Sequence, residues 1–99
     1  MSSPRFTFTA QVWLHDGGSW HFVSVPEDDA DVIEEMFGVD AGGFGSVRVE
    51  VTIGATEWRT SLFPDSKRKT YVLPIKKSVR LSEGLCAGQS AYVAFVVVT

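Results

Sequence analysis

Cysteine occurs once in this 99-residue chain, at Cys86, and histidine twice, at His15 and His21. One thiol cannot staple a monomer. Neither a paired-cysteine spacing nor a short histidine–carboxylate motif supplies the three or four converging donors that a metal site needs, so no disulfide framework, metal or cofactor is expected. Long apolar runs are also missing. The longest, Tyr92 to Val98, is far short of the roughly 20 residues that cross a bilayer. The opening MSSPRFTFTA has no basic start followed by an apolar stretch, so it does not read as a signal peptide. These absences predict a soluble, cytoplasmic protein. Base is in deficit, with 9 Lys and Arg against 12 Asp and Glu and a net charge of −3, which disfavours nucleic-acid binding through a broad cationic surface.

What is present is enough for one globular domain spanning residues 1–99: 44% hydrophobic and 12% aromatic residues, with a mixed 21% charged. The charge is segregated. Residues 27–40 hold Glu27, Asp28, Asp29, Asp31, Glu34, Glu35 and Asp40 with no base, and residues 67–80 hold Lys67, Arg68, Lys69, Lys76, Lys77 and Arg80 with no acid. One acidic and one basic patch are expected.

Phe6, Phe8, Ala10, Val12 and Leu14 alternate with Thr7, Thr9, Gln11 and Trp13, the period of a strand with one face on a core. The turn His15 to Ser19 leads into a second strand, Trp20 to Val25, which Pro26 ends. From Asp28 to Phe37 the spacing of Val32, Ile33, Met36 and Phe37 is helical, and the acids at its start suit the positive end of a helix dipole. Gly38 and Ala41-Gly42-Gly43 stop this helix. Val47 to Ile53 alternates as a third strand, Gly54 turns it, and a fourth runs from about Glu57 to Phe63. Pro64-Asp65-Ser66 and the basic residues behind it read as an exposed loop. A brief strand, Thr70 to Leu73, is closed by Pro74, residues 75–81 form one or two helical turns, and Ala91 to Val98 is a last strand with a central or doubly covered position.

Two stretches repeat one plan of strand, proline, amphipathic helix and strand: HFVSVP with EDDADVIEEMFG and GFGSVRVEVTI, and TYVLP with IKKSVRLSEGL and AGQSAYVAFVVV. Six strands, one or two short helices and no long helix predict a mainly β fold, a small closed six-stranded β-barrel of pseudo-duplicated halves. An antiparallel sheet covered by one helix is the alternative.

The run WRTSLFP, YVLPIKKSVR and GLCAGQSAYVAF, from Trp58 through Phe95, resembles the bacterial family DUF1905, a domain of unknown function. The Phe-x-Phe-x-Ala opening, Trp20 ahead of a Val-x-Val-Pro strand end, and Val-x-Val-x-Val-x-Ile-Gly at residues 47–54 extend the resemblance over about residues 5 to 97. It implies a small β-barrel of unassigned activity. Where that pattern has Gly-Asp before the last strand, this chain has Gly88-Gln89. The second half more loosely resembles the swapped-hairpin barrels of bacterial transition-state regulators and antitoxins, which bind DNA as dimers.

Isolated candidates for chemistry have plainer explanations. His15 falls at a turn and His21 on the outward phase of a strand. Cys86 reads as a small, semi-buried thiol with no base beside it. Ser61 lacks the elbow that exposes a nucleophilic serine. Gly42-Gly43-x-Gly45 precedes a strand, where phosphate loops precede a helix. Trp13, on the polar phase of the first strand, is read as part of a second small core, the alternative being an outward binding surface.

The group Arg59, Lys76, Lys77 and Arg80 is the leading functional candidate, a cationic knob at a barrel rim with Trp58 as an apolar wall. A solvated face is the bland reading of it, and Arg80 has a further structural role open to it, pairing with an acid of the Asp28–Glu35 helix. The expected function is a non-enzymatic binding module for an anionic small molecule or a protein partner, as monomer or homodimer. A DNA-binding regulator of swapped-hairpin type is the alternative, and an enzyme with a site at the barrel mouth ranks last.

Overall fold

The computed structural model describes residues 4–37 and 45–98. Its strands are β1 (Arg5–Gln11), β2 (Trp13–Leu14), β3 (His21–Ser24), β4 (Val47–Ile53), β5 (Thr56–Asp65), β6 (Thr70–Pro74) and β7 (Ser90–Val97), and its helices are α1 (Glu27–Phe37) and α2 (Lys77–Glu83). The strands pair antiparallel in one sheet of order β1-β7-β4-β5-β6-β3-β2. The sheet curls into a half-barrel, so the expected closed six-stranded barrel is corrected to a mainly β, seven-stranded open one.

The cause lies at Val12. The alternation of residues 6–14 predicts one strand, but the chain pairs with β7 only as far as Val12, whose N–H donates to the Gln89 carbonyl (2.8 Å) and whose own carbonyl accepts the Gly88 N–H (2.7 Å). Beyond it Trp13 and Leu14 turn away to pair with Phe22 and His21 of β3. The two outermost strands are therefore consecutive in the chain, and the sheet's ends meet through Val12 and not through a β ladder. With Val12 only 1% exposed, this junction is locked into the core. The bend also ends the inward phase, leaving Leu14 exposed instead of buried.

Elsewhere the alternation holds. Val47, Val49, Val51 and Ile53 of β4 all face the core, and β7 lies centrally between β1 and β4. Phe6 and Phe95, directly opposite in register, stack with ring centroids 5.0 Å apart, and Phe8 meets Phe95 edge-on at 6.2 Å. Strands from the two repeated stretches lie against each other, β3 on β6 with Ser24 opposite Val72, and β4 on β7 with Val51 opposite Phe95. That pairing is what halves related by a two-fold axis require. β5 runs two residues further than expected, through Asp65.

Ala30 and Ile33 are the buried face of α1, while Val32 and Met36, two of the four residues whose spacing marked the helix, are exposed. The helix thus seats a narrow stripe on the sheet. The Tyr71 hydroxyl of β6 donates to Glu34 Oε2 at 2.6 Å and fastens α1. In the same way Thr56 Oγ1 of β5 donates to Glu83 Oε2 of α2 at 2.6 Å. Gly54, at φ +58, turns the β4–β5 hairpin close beneath that carboxylate, where a Cβ would strike Glu83. The expected stop at Gly38 and Ala41-Gly42-Gly43 lies outside the described residues.

Burial together with the hydrogen bond to and the charge of Glu34 pushes the Tyr71 pKa up to about 12, from an ordinary value of 10.0. A raised folded-state value means that this contribution to stability is complete below the unfolded value and is lost as pH rises through the folded one. Stability is expected to fall between pH 10 and pH 12 in chemical denaturation, and Tyr71→Phe to remove that component while costing about 1–2 kcal/mol at neutral pH. An unchanged alkaline limb in the variant would contradict the assignment.

Candidate functional site

The residues expected to form one cationic rim lie on β5 and at α2. Trp58 and Arg59 are successive on β5 and so point to opposite faces. Trp58 is only 8% exposed and packs in the core, which corrects its expected role as an apolar wall beside those bases. Its phase with Leu62, four residues on and fully buried, was the available signal. Arg59 stands outside, opposite Glu50 of β4, and its Nε meets Glu50 Oε2 at 3.2 Å. There it shares a shallow hollow of about 280 Å³ with Arg48 and Ser61. Lys76 and Lys77 are exposed at the start of α2. Arg80 turns its Nε back to the Ile75 carbonyl at 3.3 Å, a local bond in place of the pairing with the acidic helix that its charge had suggested. His21 Nδ1 lies 2.9 Å from the Ser19 carbonyl, which can only accept, so that nitrogen carries the proton. Cys86, expected to be semi-buried, is exposed. Of the glycine-rich stretch, Gly42 and Gly43 lie outside the described residues.

The feature that stands out lies on the outer face of β2 and β3. Trp13 and His15 on one side of the hairpin, and Trp20 and Phe22 on the other, share one face because side chains two apart in a strand do so. Trp20 and Phe22 stack with centroids 6.2 Å apart, Trp13 and Phe22 meet at 5.0 Å, and His15 stands edge-on to Phe22 at 6.3 Å. Trp13 is fixed by its indole N–H, which donates to Ser24 Oγ at 3.0 Å. It is half-buried, outside the main core, with Phe22 and Arg68 against its ring. Trp20 is 63% exposed.

A cation closes the array. Arg68 Cζ lies 3.8 Å from the centroid of Trp13, within the range of a cation–π contact. Asp65 holds it there, accepting from Arg68 Nη1 at 2.9 Å and from the backbone N–H groups of Lys67 and Arg68 at 3.0 and 3.2 Å. The turn between β5 and β6 is further defined by Lys69, whose φ of 55° is uncommon for a residue with a side chain. Between this turn and the β2–β3 hairpin runs a groove of about 580 Å³, floored by Trp13, Phe22 and Val72 and edged by His15, Lys67 and Arg68. Arg68 was legible in the sequence only as one of three loop bases, 55 positions from the tryptophan it covers.

A curled antiparallel sheet with two short helices and an aromatic groove on its outer face is thus the class of domain this chain forms. The family model of DUF1905, a domain of unknown function, matches residues 8–95, and the chain belongs to that family. A comparison with curated proteins found no match. Gln89 closes the loop before β7: its side-chain oxygen accepts the Cys86 N–H at 2.8 Å. The residue serves the turn that receives Val12.

Some burial works to raise the Asp65 pKa, but the backbone N–H and guanidinium of Arg68 and the backbone N–H of Lys67 outweigh it and hold the carboxyl below its ordinary 3.8. A depressed folded-state value means the clamp is intact above the ordinary carboxylate range and is lost as pH falls through the lowered one. The Lys67 and Arg68 amide resonances are expected to titrate together with a midpoint below 3.8. A midpoint at or above that value would contradict the clamp.

Proposed function

We propose that this protein is a non-enzymatic binding module that holds a small ligand, bearing a flat ring and a negative charge, in the groove between the β2–β3 hairpin and residues 66–69. The observation that carries this reading is the stack of Arg68 on Trp13 at the groove wall. Indole and guanidinium surfaces both favour a planar partner, and a cation fixed in place by Asp65 needs no ordering when an anion arrives. The groove falls within the size of small-molecule sites, about 300–1,000 Å³. The rim residues Arg59, Lys76, Lys77 and Arg80 support the same class of function less well, since Arg59 is paired and Arg80 is engaged with its own helix start. A DNA-binding regulator would need those bases on one continuous surface, and they are shared between β5 and α2 with its N-cap.

Three indole N–H resonances make the test direct, because Trp58 is a buried internal reference. Screening a set of aryl carboxylates and aryl phosphates by nitrogen–proton correlation spectra is expected to move the Trp13 and Trp20 signals and leave Trp58 in place. Lys76→Glu is expected to leave the response unchanged, and Arg68→Gln to weaken it about tenfold, the loss of one charge-assisted bond. A set that moves neither indole, or a response abolished by Lys76→Glu alone, would contradict the reading.

A further inference from the structure

Resting on that reading, we infer that the ligand of the groove is a nucleotide, a nucleobase stacked on the Trp13–Arg68 array with its phosphate held by Lys67. The array runs from Trp20, stacked on Phe22, through Trp13, tilted by 33° to Phe22, to Arg68 over the Trp13 ring. Bases stack on aromatic side chains and on guanidinium planes alike, so an array ending in an arginine presents the next position to a base.

Two acids, Asp16 and Asp65, and two bases, Lys67 and Arg68, line the groove, and the base left for a phosphate is Lys67. Arg68 is already engaged with Asp65, whereas Lys67 and Lys69 have no carboxylate within ion-pair distance among the described residues. Lys67 lines the groove beside Arg68. A base stacked on the guanidinium would carry its phosphate toward that neighbouring ammonium, a point charge suited to phosphate oxygens. The polar groups along the same groove, His15, Asp16 and Ser66, offer hydrogen-bond partners to a heterocycle's edge that a plain hydrocarbon ring would leave unused. A volume of about 580 Å³ exceeds what one ring fills and accommodates a base with its sugar and phosphate.

The surroundings limit how much polyanion can follow. Lys69 faces a second hollow, of about 250 Å³, whose other walls include Asp31 and Glu34 of the acidic helix α1. A strand of nucleic acid leaving the groove on that side would meet like charge, and the protein as a whole is at −3. The recognised chemistry is therefore one base and one phosphate, whether free or at the end of a single strand.

Titration with adenosine 5′-monophosphate, adenosine, ribose 5-phosphate and a single-stranded hexanucleotide, followed through the three indole signals, tests this. The monophosphate is expected to saturate with shifts at Trp13 and none at Trp58, and adenosine and ribose 5-phosphate each to bind about tenfold more weakly. Arg68→Gln and Lys67→Gln are each expected to weaken the monophosphate by about tenfold, with the Trp58 signal reporting an intact fold. Tighter binding of the hexanucleotide would support the same chemistry with a strand end as its source, and tighter binding of the monophosphate would support a free nucleotide. Absence of any nucleotide response overturns the inference, as does ribose 5-phosphate binding as well as the monophosphate. If aryl carboxylates still move Trp13 in that case, the binding-module reading stands without the nucleotide. If they do not, both fall.

Discussion

Every other part of this structure depends on the two hydrogen bonds that hold Val12 to the loop before β7. They end the ladder with β7, and the next two residues begin a new ladder with β3. A sheet whose outermost strands are joined by one residue has to curl, because its two ends are at most a few ångströms apart along the chain. The curl buries Phe6, Phe8 and Val12 with the inner faces of β3, β4, β6 and β7 in a single core. It also limits exposed strand edges, the usual liability of a sheet this size. Gly88, at φ +92, and Gln89, with its side chain on the Cys86 N–H, shape the loop that receives Val12.

The same bend brings the aromatic groove into being. Because the chain leaves β7 at Val12, Trp13 lies on the outside of β3 across from Phe22, next to the turn between β5 and β6. Keeping large rings at a surface costs hydration free energy, which stacking and the indole hydrogen bond to Ser24 offset in part. The outer face of β1, by contrast, carries Thr7, Thr9 and Gln11. Arg68 and Asp65 then supply a fixed charge beside the rings. The rings, this held cation and Lys67, which has no carboxylate within ion-pair distance among the described residues, line one groove, the surface proposed above for recognition.

Much of the architecture was legible in the sequence because it is local. Alternation marked β4 at its observed bounds, Pro26 and Pro74 marked two strand ends, and the acids of residues 27–29 marked the start of α1. The family could be read from WRTSLFP and LPIKKSVR. What failed was whatever depends on curvature. Val12 continues the period of β1, so the break that follows it leaves no trace in the pattern, and Leu14 was placed inside for that reason. The surroundings of the basic residues were hidden for a different reason. Arg59, Lys76, Lys77 and Arg80 share a charge, but strand alternation puts Arg59 and Trp58 on opposite faces, and a single hydrogen bond to Ile75 redirects Arg80. The groove joins residues from two distant turns, which only the folded sheet brings face to face.

The central claim is that the bend at Val12 sets Trp13 between Phe22 and Arg68. Nuclear Overhauser contacts from the Trp13 indole protons measure this directly. The account predicts contacts to both the Phe22 ring and the Arg68 side chain, with the Arg68 Cδ protons shifted upfield by the ring beneath them. A Trp13 indole with contacts to neither, and Arg68 protons at the positions of a freely solvated arginine, would contradict it.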